Sequence, residues 1–417
     1  MNSKPHPADA AASTRREFLC KSGAVAAAAS LPTFYIGSAA AQETLKIGMV
    51  LAKQGPFALQ GSDLTAGMQL AFNEAAGKIL GRPAELVWAD EPNPQGAVQG
   101  ITKLIEEQKV VAVIGGTSSA TTLAMGAVAQ RARIPFISPN AAAREVTGKD
   151  CNPFMFRMPA TIPVYAKAMA PHLLALGKKW YIIAGAFTFG EDVISTFSEI
   201  VTAAGGTVVG VDRAPVATTD YSSFVLKARA AKPDLVISGA ANVEPLLKQF
   251  KQLGLTGKIA LAGPAVSDID LWSASPDSLT GVYGKTWYYN DPNNSPQEKA
   301  FARTYAAKEG KPPSDRVFFG WHAMRLLQLA MQNANSAEPV RIAKALEELK
   351  VEDGGLPVSF RKWDHQLLRP LVVATARQNP ADKWDILDVK ATRPANARAL
   401  DEMYGSQTEV GCKMAAA

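Results

Sequence analysis

Short apolar stretches alternate with longer amphipathic stretches along the chain from Leu45 onward. The apolar stretches are rich in β-branched residues and lack a polar side, which is typical of parallel strands covered on both faces of a sheet. The predicted strands are residues 45–51, 85–89, 110–114, 134–138, 180–184, 207–211, 235–238 and 259–262. The predicted helices between them are residues 62–76, 95–108, 121–131, 164–176, 191–204, 222–231 and 244–253. This alternation predicts a doubly wound α/β architecture.

The alternation pauses twice, and the pauses divide the chain into two lobes. Residues 151–163 contain three prolines around an extended segment, and residues 280–296 are rich in aromatic side chains. The pattern then predicts helices at 297–308, 314–333 and 340–349 and strands at 358–361, 371–375 and 384–389. The expected division is a first lobe of residues 42–157 plus 287–350, a second lobe of residues 158–286 plus 351–395, and a C-terminal tail of residues 396–417. Two lobes joined by more than one crossing leave a cleft between them.

Residues 1–41 have the pattern of an export signal that is cut away. Arg15 and Arg16 precede a weakly apolar, Ala-rich stretch, and residues 39–41 are the small residues of a cleavage site, so Gln42 is expected to begin the mature protein. The paired arginines resemble the twin-arginine type, whose passengers cross the membrane already folded. An uncleaved membrane anchor is the alternative, but the apolar stretch is shorter than the ~20 residues that span a bilayer. The protein is therefore expected to work outside the cytoplasm.

Charge and cysteine content narrow the class of partners. Four basic and two acidic residues lie in the signal, which leaves 40 basic and 36 acidic residues in the mature chain. The basic residues are not clustered along the sequence. A nucleic-acid binder would concentrate its basic residues on one face, so no nucleic-acid partner is expected. Cys20 is removed with the signal. In an oxidising compartment Cys151 and Cys412 are expected to form a disulfide, with two unrelated buried thiols as the alternative.

The mature sequence lacks the usual motifs of catalysis. Residues 185–190 have the glycine spacing of a phosphate loop, but Glu191 and Asp192 stand where Lys and Ser or Thr would hold phosphate and magnesium. Residues 115–120 lack the closing glycine of a Gly-x-Ser-x-Gly elbow. Three histidines remain, none at metal-ligand spacing: His172, His322 and His365. We therefore expect neither enzymatic activity nor a cofactor or metal.

The predicted strands are followed by small, polar or aromatic residues at their carboxyl ends. Ligands bind at this edge of doubly wound sheets, because glycine-rich turns let the backbone approach and helix N-termini offer free N–H groups. The loop from Gly115 to Thr122 follows a strand and opens a helix, so it is expected to bind an anionic group such as a carboxylate. Ordinary helix capping by Ser or Thr is the alternative, and the two uses are compatible.

Several short motifs follow one another in a fixed order. They are Gly55-Pro56, Gly115-Gly116-Thr117-Ser118-Ser119, Pro135, Ser138-Pro139, Phe156-Arg157, Phe189-Gly190 and Asp220-Tyr221-Ser222. In this order and spacing the chain resembles the branched-chain amino acid class of periplasmic solute-binding proteins, over nearly its whole mature length. The resemblance implies a type I periplasmic binding protein, in which two Rossmann-like lobes are joined by three hinge strands. It also implies a periplasmic monomer that delivers a small-molecule solute to an ATP-driven ABC permease of the inner membrane. A sensor that reports its ligand to a membrane receptor is the alternative.

The resemblance further implies which residues face the ligand. A carboxylate would be gripped by residues after the third and fourth strands: Ser118, Ser119, Asn140, Ala141 and Ala142. Aromatic side chains would wall the rest of the pocket, with packing in the core beside the strands as the alternative: Phe187, Phe189, Tyr221, Trp287 and Tyr288. Phe57, Gln60 and Thr117 complete the expected set. Gln60 replaces an aromatic residue of the family pattern, and Ala142 replaces a hydroxyl residue.

One departure from the family pattern bears on the identity of the ligand. The family holds an α-ammonium group with an acidic residue after the strand at 235–238, where this chain has Asn242, although Glu244 is two residues away. Burying an ammonium without a paired carboxylate would be costly, so Asn242 favours an aromatic or other small carboxylate. A hydrophobic or branched-chain amino acid is the alternative if Glu244 supplies the charge.

Overall fold

The computed structural model describes residues 43–351, 358–394 and 396–414. The predicted export signal at residues 1–41 lies outside the described residues. Within them the strands are, in chain order, β1 (Leu45–Leu51), β2 (Lys78–Ile79), β3 (Arg82–Asp90), β4 (Ala112–Gly115), β5 (Phe136–Ser138), β6 (Met155–Arg157), β7 (Lys179–Gly185), β8 (Thr207–Ala214), β9 (Leu235–Gly239), β10 (Ala260–Pro264), β11 (Val282–Lys285), β12 (Lys350–Val351), β13 (Val358–Phe360), β14 (Leu367–Leu368), β15 (Leu371–Ala376) and β16 (Leu387–Arg393). The α-helices of the same residues are α1 (Ala58–Glu74), α2 (Pro94–Glu106), α3 (Ser119–Ala132), α4 (Ile162–Leu176), α5 (Thr188–Ala203), α6 (Ser222–Ala231), α7 (Glu244–Gln252), α8 (Asp268–Ser273), α9 (Pro296–Glu309), α10 (Asp315–Ala334), α11 (Pro339–Glu348), α12 (Ala397–Tyr404) and α13 (Gln407–Val410).

The first sheet has the strand order β2-β3-β1-β4-β5-β6. Its strands run parallel, except that the short β2 pairs antiparallel with β3. Strand β1 is buried at all but one of its positions, because helices cover both faces of the sheet. Helices α1, α10 and α11 contribute to the core on one face, and α2 and α3 to the core on the other.

The second sheet has the strand order β16-β15-β11-β10-β9-β7-β8. Strands β7 to β11 are parallel, and β15 and β16 add an antiparallel edge. Helices α4 and α5 pack on one face, whereas α6, α7 and α8 pack on the other. The two sheets confirm the predicted α/β fold with doubly wound parallel sheets.

Helices α1 and α10 approach each other closely although they are far apart in sequence. A Cβ atom on Gly67 would lie 2.0 Å from the carbonyl oxygen of Val317, and one on Gly320 would lie 2.0 Å from that of Leu64. Both contacts are far shorter than van der Waals distance, so only glycine permits this crossing. The helices that follow β11 are thereby fixed to the first sheet.

The chain passes between the sheets three times: after β6, after β11 and before β15. The two pauses in the sequence pattern contain the short strands β6 and β11, which the pattern did not predict as strands. Arg157, at the end of β6, is fully buried and holds the first crossing to the third. Its Nε donates to Gln366 Oε1 at 2.8 Å, and its backbone N–H donates to the carbonyl of His365 at 3.0 Å. Burial lowers the pKa of Arg157 to about 10.

The predicted disulfide between Cys151 and Cys412 is present, and it joins residues 261 positions apart. Cys151 precedes β6, and Cys412 follows α13. The bond therefore ties the C-terminal segment to the start of the first crossing.

Candidate ligand-binding site

A cavity lies between the carboxyl ends of the two sheets. It contains about 540 Å³ of space not filled by protein atoms, including its opening to solvent. Loops after β1, β4 and β5 line one side, and loops after β7, β9 and β10 line the other. This is the edge at which ligands bind in doubly wound sheets.

The loop between β4 and α3 forms the first wall. Gly116 has a φ of +88°, and a Cβ atom there would lie 2.1 Å from Thr122 Oγ1, so glycine is required. The hydroxyl of Ser118 caps α3 by accepting the N–H of Thr121 at 3.2 Å. Thr117, Ser118 and Ser119 line the cavity. Helix capping and cavity lining therefore occur in the same loop.

A buried carboxylate lies directly behind this loop. Glu91 accepts hydrogen bonds from the backbone N–H groups of Gly116 at 3.0 Å and Thr117 at 2.7 Å, and from the hydroxyl of Thr121 at 3.0 Å. Burial raises the pKa of Glu91 to about 7, although these hydrogen bonds oppose the rise. Two N–H donors of the loop are thus already paired inside the protein.

The same wall also carries two polar side chains from other parts of the chain, Asn140 and Gln60. Asn140 Nδ2 donates to Gln60 Oε1 at 3.0 Å and to the carbonyl of Thr117 at 2.6 Å. Asn140 Oδ1 is buried and has no hydrogen-bond partner within the described part of the chain. The hydroxyl of Ser119 accepts the N–H of Ala143 at 3.2 Å and can still donate its own proton. The wall therefore offers a ligand one acceptor and one hydroxyl donor.

Three phenylalanines line the cavity where the two sides approach each other. Phe57, at the start of α1, meets Phe187 edge to face, with ring centroids 6.0 Å apart. Phe187 and Phe189 are stacked at 5.8 Å. Phe57 belongs to the side of the first sheet, and the other two belong to the second. An apolar ligand body is well matched to this surface.

The opposite wall is largely apolar. Its lining comprises Ser238, Ala240, Ala241, Val243, Pro264, Ala265, Val266 and Asp270, together with Arg316, which reaches this wall from α10 on the side of the first sheet. Asp270 lies in the first turn of α8 and is 8% exposed. Burial raises its pKa to about 7, opposed mainly by the positive charge of Arg316. This wall thus carries one carboxyl group that changes charge near neutral pH.

Beside Arg316, a buried ion cluster joins the two sides. Lys285 Nζ on β11 lies 2.8 Å from Asp268 Oδ1 and 3.0 Å from Asp315 Oδ2, and all three side chains are nearly inaccessible to solvent. Asp315 belongs to α10 and hence to the side of the first sheet, whereas Lys285 and Asp268 belong to the second. Arg316 adds an ion pair with Asp315 at 3.1 Å.

The pKa shifts in the cluster follow from burial and charge. Burial raises the pKa of Asp268 to about 6 against the attraction of Lys285. Burial alone would also raise the pKa of Asp315, but the positive charges of Arg316 and Lys285 lower it. Burial disfavours the charge of Lys285, yet its two carboxylate neighbours raise its pKa. Lys285 is therefore held as a cation.

A second polar contact crosses between the sides near Asn140. The backbone N–H of Arg144 donates to Asp192 Oδ2 at 2.6 Å, and Arg144 Nε donates to Asp192 Oδ1 at 2.5 Å. Arg144 follows β5, whereas Asp192 lies in α5 and its side chain is only 1% exposed. Asp192 also accepts the hydroxyl of Thr196 at 3.1 Å. This contact therefore joins the two sides, as the Lys285 cluster does.

Eight of the fifteen residues predicted to bind ligand line the cavity: Phe57, Gln60, Thr117, Ser118, Ser119, Asn140, Phe187 and Phe189. The other seven lie elsewhere. Trp287 stacks on Phe318 at 4.3 Å in the core of the first sheet, and the hydroxyl of Tyr288 donates to Asp385 Oδ1 at 3.0 Å. Tyr221 is buried in the core of the second sheet. These aromatic side chains belong to the hydrophobic cores of the lobes and are not part of the cavity lining.

Four smaller predicted positions have local structural partners instead. Asn242 Oδ1 accepts the N–H of Glu244 at 2.9 Å, and neither residue is part of the lining, although their neighbours Ala241 and Val243 are. Ala141 and Ala142 are buried. The carbonyl of Ala142 accepts the N–H of Ile162 at 2.9 Å at the start of α4.

Sequence reasoning missed the two charged residues of the lining, Asp270 and Arg316. Asp270 lies in α8, shortly after the predicted strand at 259–262, and Arg316 lies at the start of α10, on the side of the first sheet. An acidic residue shortly after a predicted strand end was an available signal for Asp270. No local signal was available for Arg316.

The described residues thus form an α/β protein with a cavity between its two larger sheets. The chain belongs to the periplasmic binding protein family, whose model matches residues 44–381. Among curated relatives, "Leu/Ile/Val-binding protein homolog 8" of Brucella abortus (strain 2308) is 28% identical over 346 residues, covering 78% of this chain and 86% of the relative. No helix of the described residues is both long and apolar enough to cross a membrane.

Two solved structures have a similar fold. A periplasmic binding protein from Burkholderia mallei has a TM-score of 0.80 at 24% identity, covering 89% of this chain and 98% of its own. A solute-binding protein of an ABC transporter from R. palustris, solved in complex with benzoate, has a TM-score of 0.77 at 22% identity, covering 89% of this chain and 100% of its own. At these identities the likeness establishes the fold.

Proposed function

We propose that the protein captures a small carboxylate-bearing solute in the cavity between its sheets and delivers it to an ABC permease of the inner membrane. The observation that carries this proposal is the lining itself, in which hydroxyl and amide groups of one side face aromatic and apolar groups of the other. The names of similar proteins, which include an amino-acid binder and a benzoate complex, support the same class of solute. We further propose that the protein acts as a periplasmic monomer, exported by a cleaved signal, and performs no chemistry on the solute.

Capture requires that the two sides open to admit the solute and close around it. The contacts that cross the cavity, Phe57 with Phe187 and Arg144 with Asp192, would form on closure. A ligand can favour the closed state only through contacts that it makes better there than in the open state. A solute that touches both the Ser119 side and the Asp270 side meets this condition.

A thermal-shift panel tests the proposal. Branched-chain amino acids, aliphatic acids, benzoate, hydroxybenzoates and the matching amides are each added to the purified protein after unfolding and refolding, which removes any retained ligand. A true ligand at 100 times its dissociation constant should stabilise the fold by about 2.7 kcal/mol. Recovery of the ligand unchanged is expected, and a response to none of the panel would contradict the proposal.

Ser119→Ala locates the binding in this cavity. If the hydroxyl of Ser119 donates to the solute, the substitution should weaken binding by about 1–3 kcal/mol. Its control is Ser273→Ala, which removes an exposed hydroxyl that donates to the Ile269 carbonyl at 2.8 Å on α8. Calorimetric affinities that are equal for the two variants would place the solute elsewhere.

Asp270→Asn separates the two candidate ligand classes. Asp270 is a carboxyl group of the lining, so it could pair with the ammonium group of an amino acid, a role that the sequence analysis considered for Glu244. Loss of its charge should weaken binding of an α-amino acid, because the buried ammonium loses its partner, and should leave a plain carboxylate bound at least as well. The opposite ranking would exclude Asp270 as the partner of an ammonium group.

A further inference from the structure

The hydrogen bonds of Glu91 change what the first wall can bind. The loop before α3 resembles an anion site, because it combines glycines, hydroxyls and a helix N-terminus. However, the N–H groups of Gly116 and Thr117 already donate to Glu91, whose side chain lies on the protein side of the loop. Glu91 is 4% exposed and is not part of the cavity lining. Glu91 thus already accepts the hydrogen bonds that a ligand carboxylate would need from this loop.

The hydrogen bonds to Glu91 come from uncharged groups. Among the described residues, its partners are two backbone N–H groups and threonine hydroxyls, that of Thr121 at 3.0 Å. The adjacent Asp90 is itself acidic and accepts the N–H of Lys53 at 2.9 Å. The charged groups of the opposite wall are Asp270 and Arg316. An ionised Glu91 therefore places a negative charge one residue layer behind Thr117.

The cavity face of the first wall is also suited to a hydrogen-bond donor of the ligand. Asn140 Oδ1 is a buried acceptor without a partner in the described ranges, and it belongs to the same lining as Thr117 and Ser118. A donor group of a ligand, such as an amide N–H, would satisfy this acceptor and would be attracted by the charge behind it. A carboxylate would meet both as repulsive neighbours.

We propose that Glu91 selects the headgroup that the Thr117–Ser119 wall accepts: when ionised it favours a hydrogen-bond donor, and when protonated it allows a carboxylate. This inference rests on the proposed function of the cavity. Glu91 acts through the loop and does not touch the ligand, so it is a positioning residue. Its pKa of about 7 means that both states are populated near neutral pH.

The coupling between ligand binding and protonation of Glu91 determines the sign and size of the pH dependence of ligand affinity. A carboxylate bound at this wall raises the pKa of Glu91 further, so its binding takes up a proton above pH 7. Its affinity should therefore fall by about tenfold between pH 6 and pH 8. Binding of an uncharged amide does not require protonation of Glu91, so the affinity for the amide should not fall over this pH range.

The test compares wild type with Glu91→Gln by titration calorimetry at pH 6 and pH 8, using benzoate with benzamide and isovalerate with isovaleramide. The introduced amide keeps one oxygen acceptor for Thr117 and carries no charge, and Gly116 retains its hydrogen bond to the Val50 carbonyl. The variant should bind each carboxylate equally well at both pH values, and about tenfold more tightly than wild type at pH 8. Glu106→Gln, at an exposed carboxylate of α2, is the matched control and should behave like wild type.

Three further outcomes separate this inference from a role of Asp270 and from the proposed function. If Asp270→Asn removes the pH dependence of carboxylate binding and Glu91→Gln keeps it, Asp270 is the responsible group and the proposal for Glu91 is overturned. Equal pH dependence in wild type and Glu91→Gln also overturns it, while leaving the capture function intact. Binding of no acid or amide by either protein overturns the proposed function, and this inference with it.

Discussion

The substitution Lys285→Met tests whether the buried ion cluster holds the two sides together. Lys285 Nζ lies within 3.0 Å of the carboxylates of Asp268 and Asp315 and donates to the Val266 carbonyl at 2.7 Å. Methionine has a similar length but no charge, so two buried carboxylates would face each other without their shared cation. Breaking a buried pair in this way typically costs about 3–5 kcal/mol.

This cost corresponds to a measurable shift in thermal unfolding. The unfolding entropy of about 375 residues is roughly 0.8 kcal/mol/K, so a loss of about 4 kcal/mol lowers the Tm by about 5 °C. The control is Lys251→Met, because Lys251 forms an exposed ion pair with Asp277 and such pairs contribute about 0–1 kcal/mol. Scanning calorimetry at pH 7.5 compares the two variants with wild type.

The pH dependence of the same variants gives a second test. Without Lys285, the folded-state pKa of Asp268 should rise further above the unfolded value of 3.8, and the lowered pKa of Asp315 should rise as well. The cost is fully present above those raised pKa values, and it shrinks as the pH falls through them and the carboxyls become neutral. A Tm within 1 °C of wild type at pH 7.5, or a deficit that grows on acidification, would refute the reasoning.

Three other substitutions test separate parts of the structure. Cys412→Ser opens a loop of 261 positions and should reduce the free energy of unfolding by about 5 kcal/mol in the chain-entropy model. Urea denaturation measures this loss, and a midpoint and slope equal to those of wild type would contradict it. Asp192→Asn removes a buried charged acceptor of Arg144 and should weaken solute binding by about 10- to 100-fold, with unchanged affinity as the contrary result in calorimetry. Gly320→Ala forces a Cβ to within 2.0 Å of the Leu64 carbonyl and should destabilise the fold by at least about 2 kcal/mol, which a wild-type Tm would disprove.

Periodicity of the sequence predicted most of the fold because its strands are covered on both faces. Strand β1 and helix α6 have the bounds that the pattern predicts, since each is a local stretch with a clear start and end. The short strands β6 and β11 were not predicted as strands. They are only three and four residues long, and prolines or aromatic residues surround them. Their role as crossings depends on pairing with distant strands, which no local window shows.

The candidate site was predictable where it follows strand ends and not where it depends on packing between distant elements. Thr117, Ser118 and Ser119 follow β4 directly, so their place in the lining could be read from the chain. Trp287 could not be placed in this way, because its aromatic character suits a pocket and a core equally well. Its partner in the core, Phe318, is 31 residues away on α10. Similarly, Arg316 reaches the cavity only because α10 returns to the first sheet.

The close crossing of α1 with α10 has a consequence for how the chain is made. Gly67 and Gly320 are 253 residues apart, and the entire second sheet up to β11 is encoded between them. At a synthesis rate of about 5–20 residues per second, α1 waits roughly 13–50 s on the ribosome before its partner helix exists. During that interval the apolar face of α1, including Leu64 and Met68, has no α10 to cover it. The helical layer over the first sheet, although that sheet begins the chain, is therefore completed only after strands β7 to β11 have been synthesised.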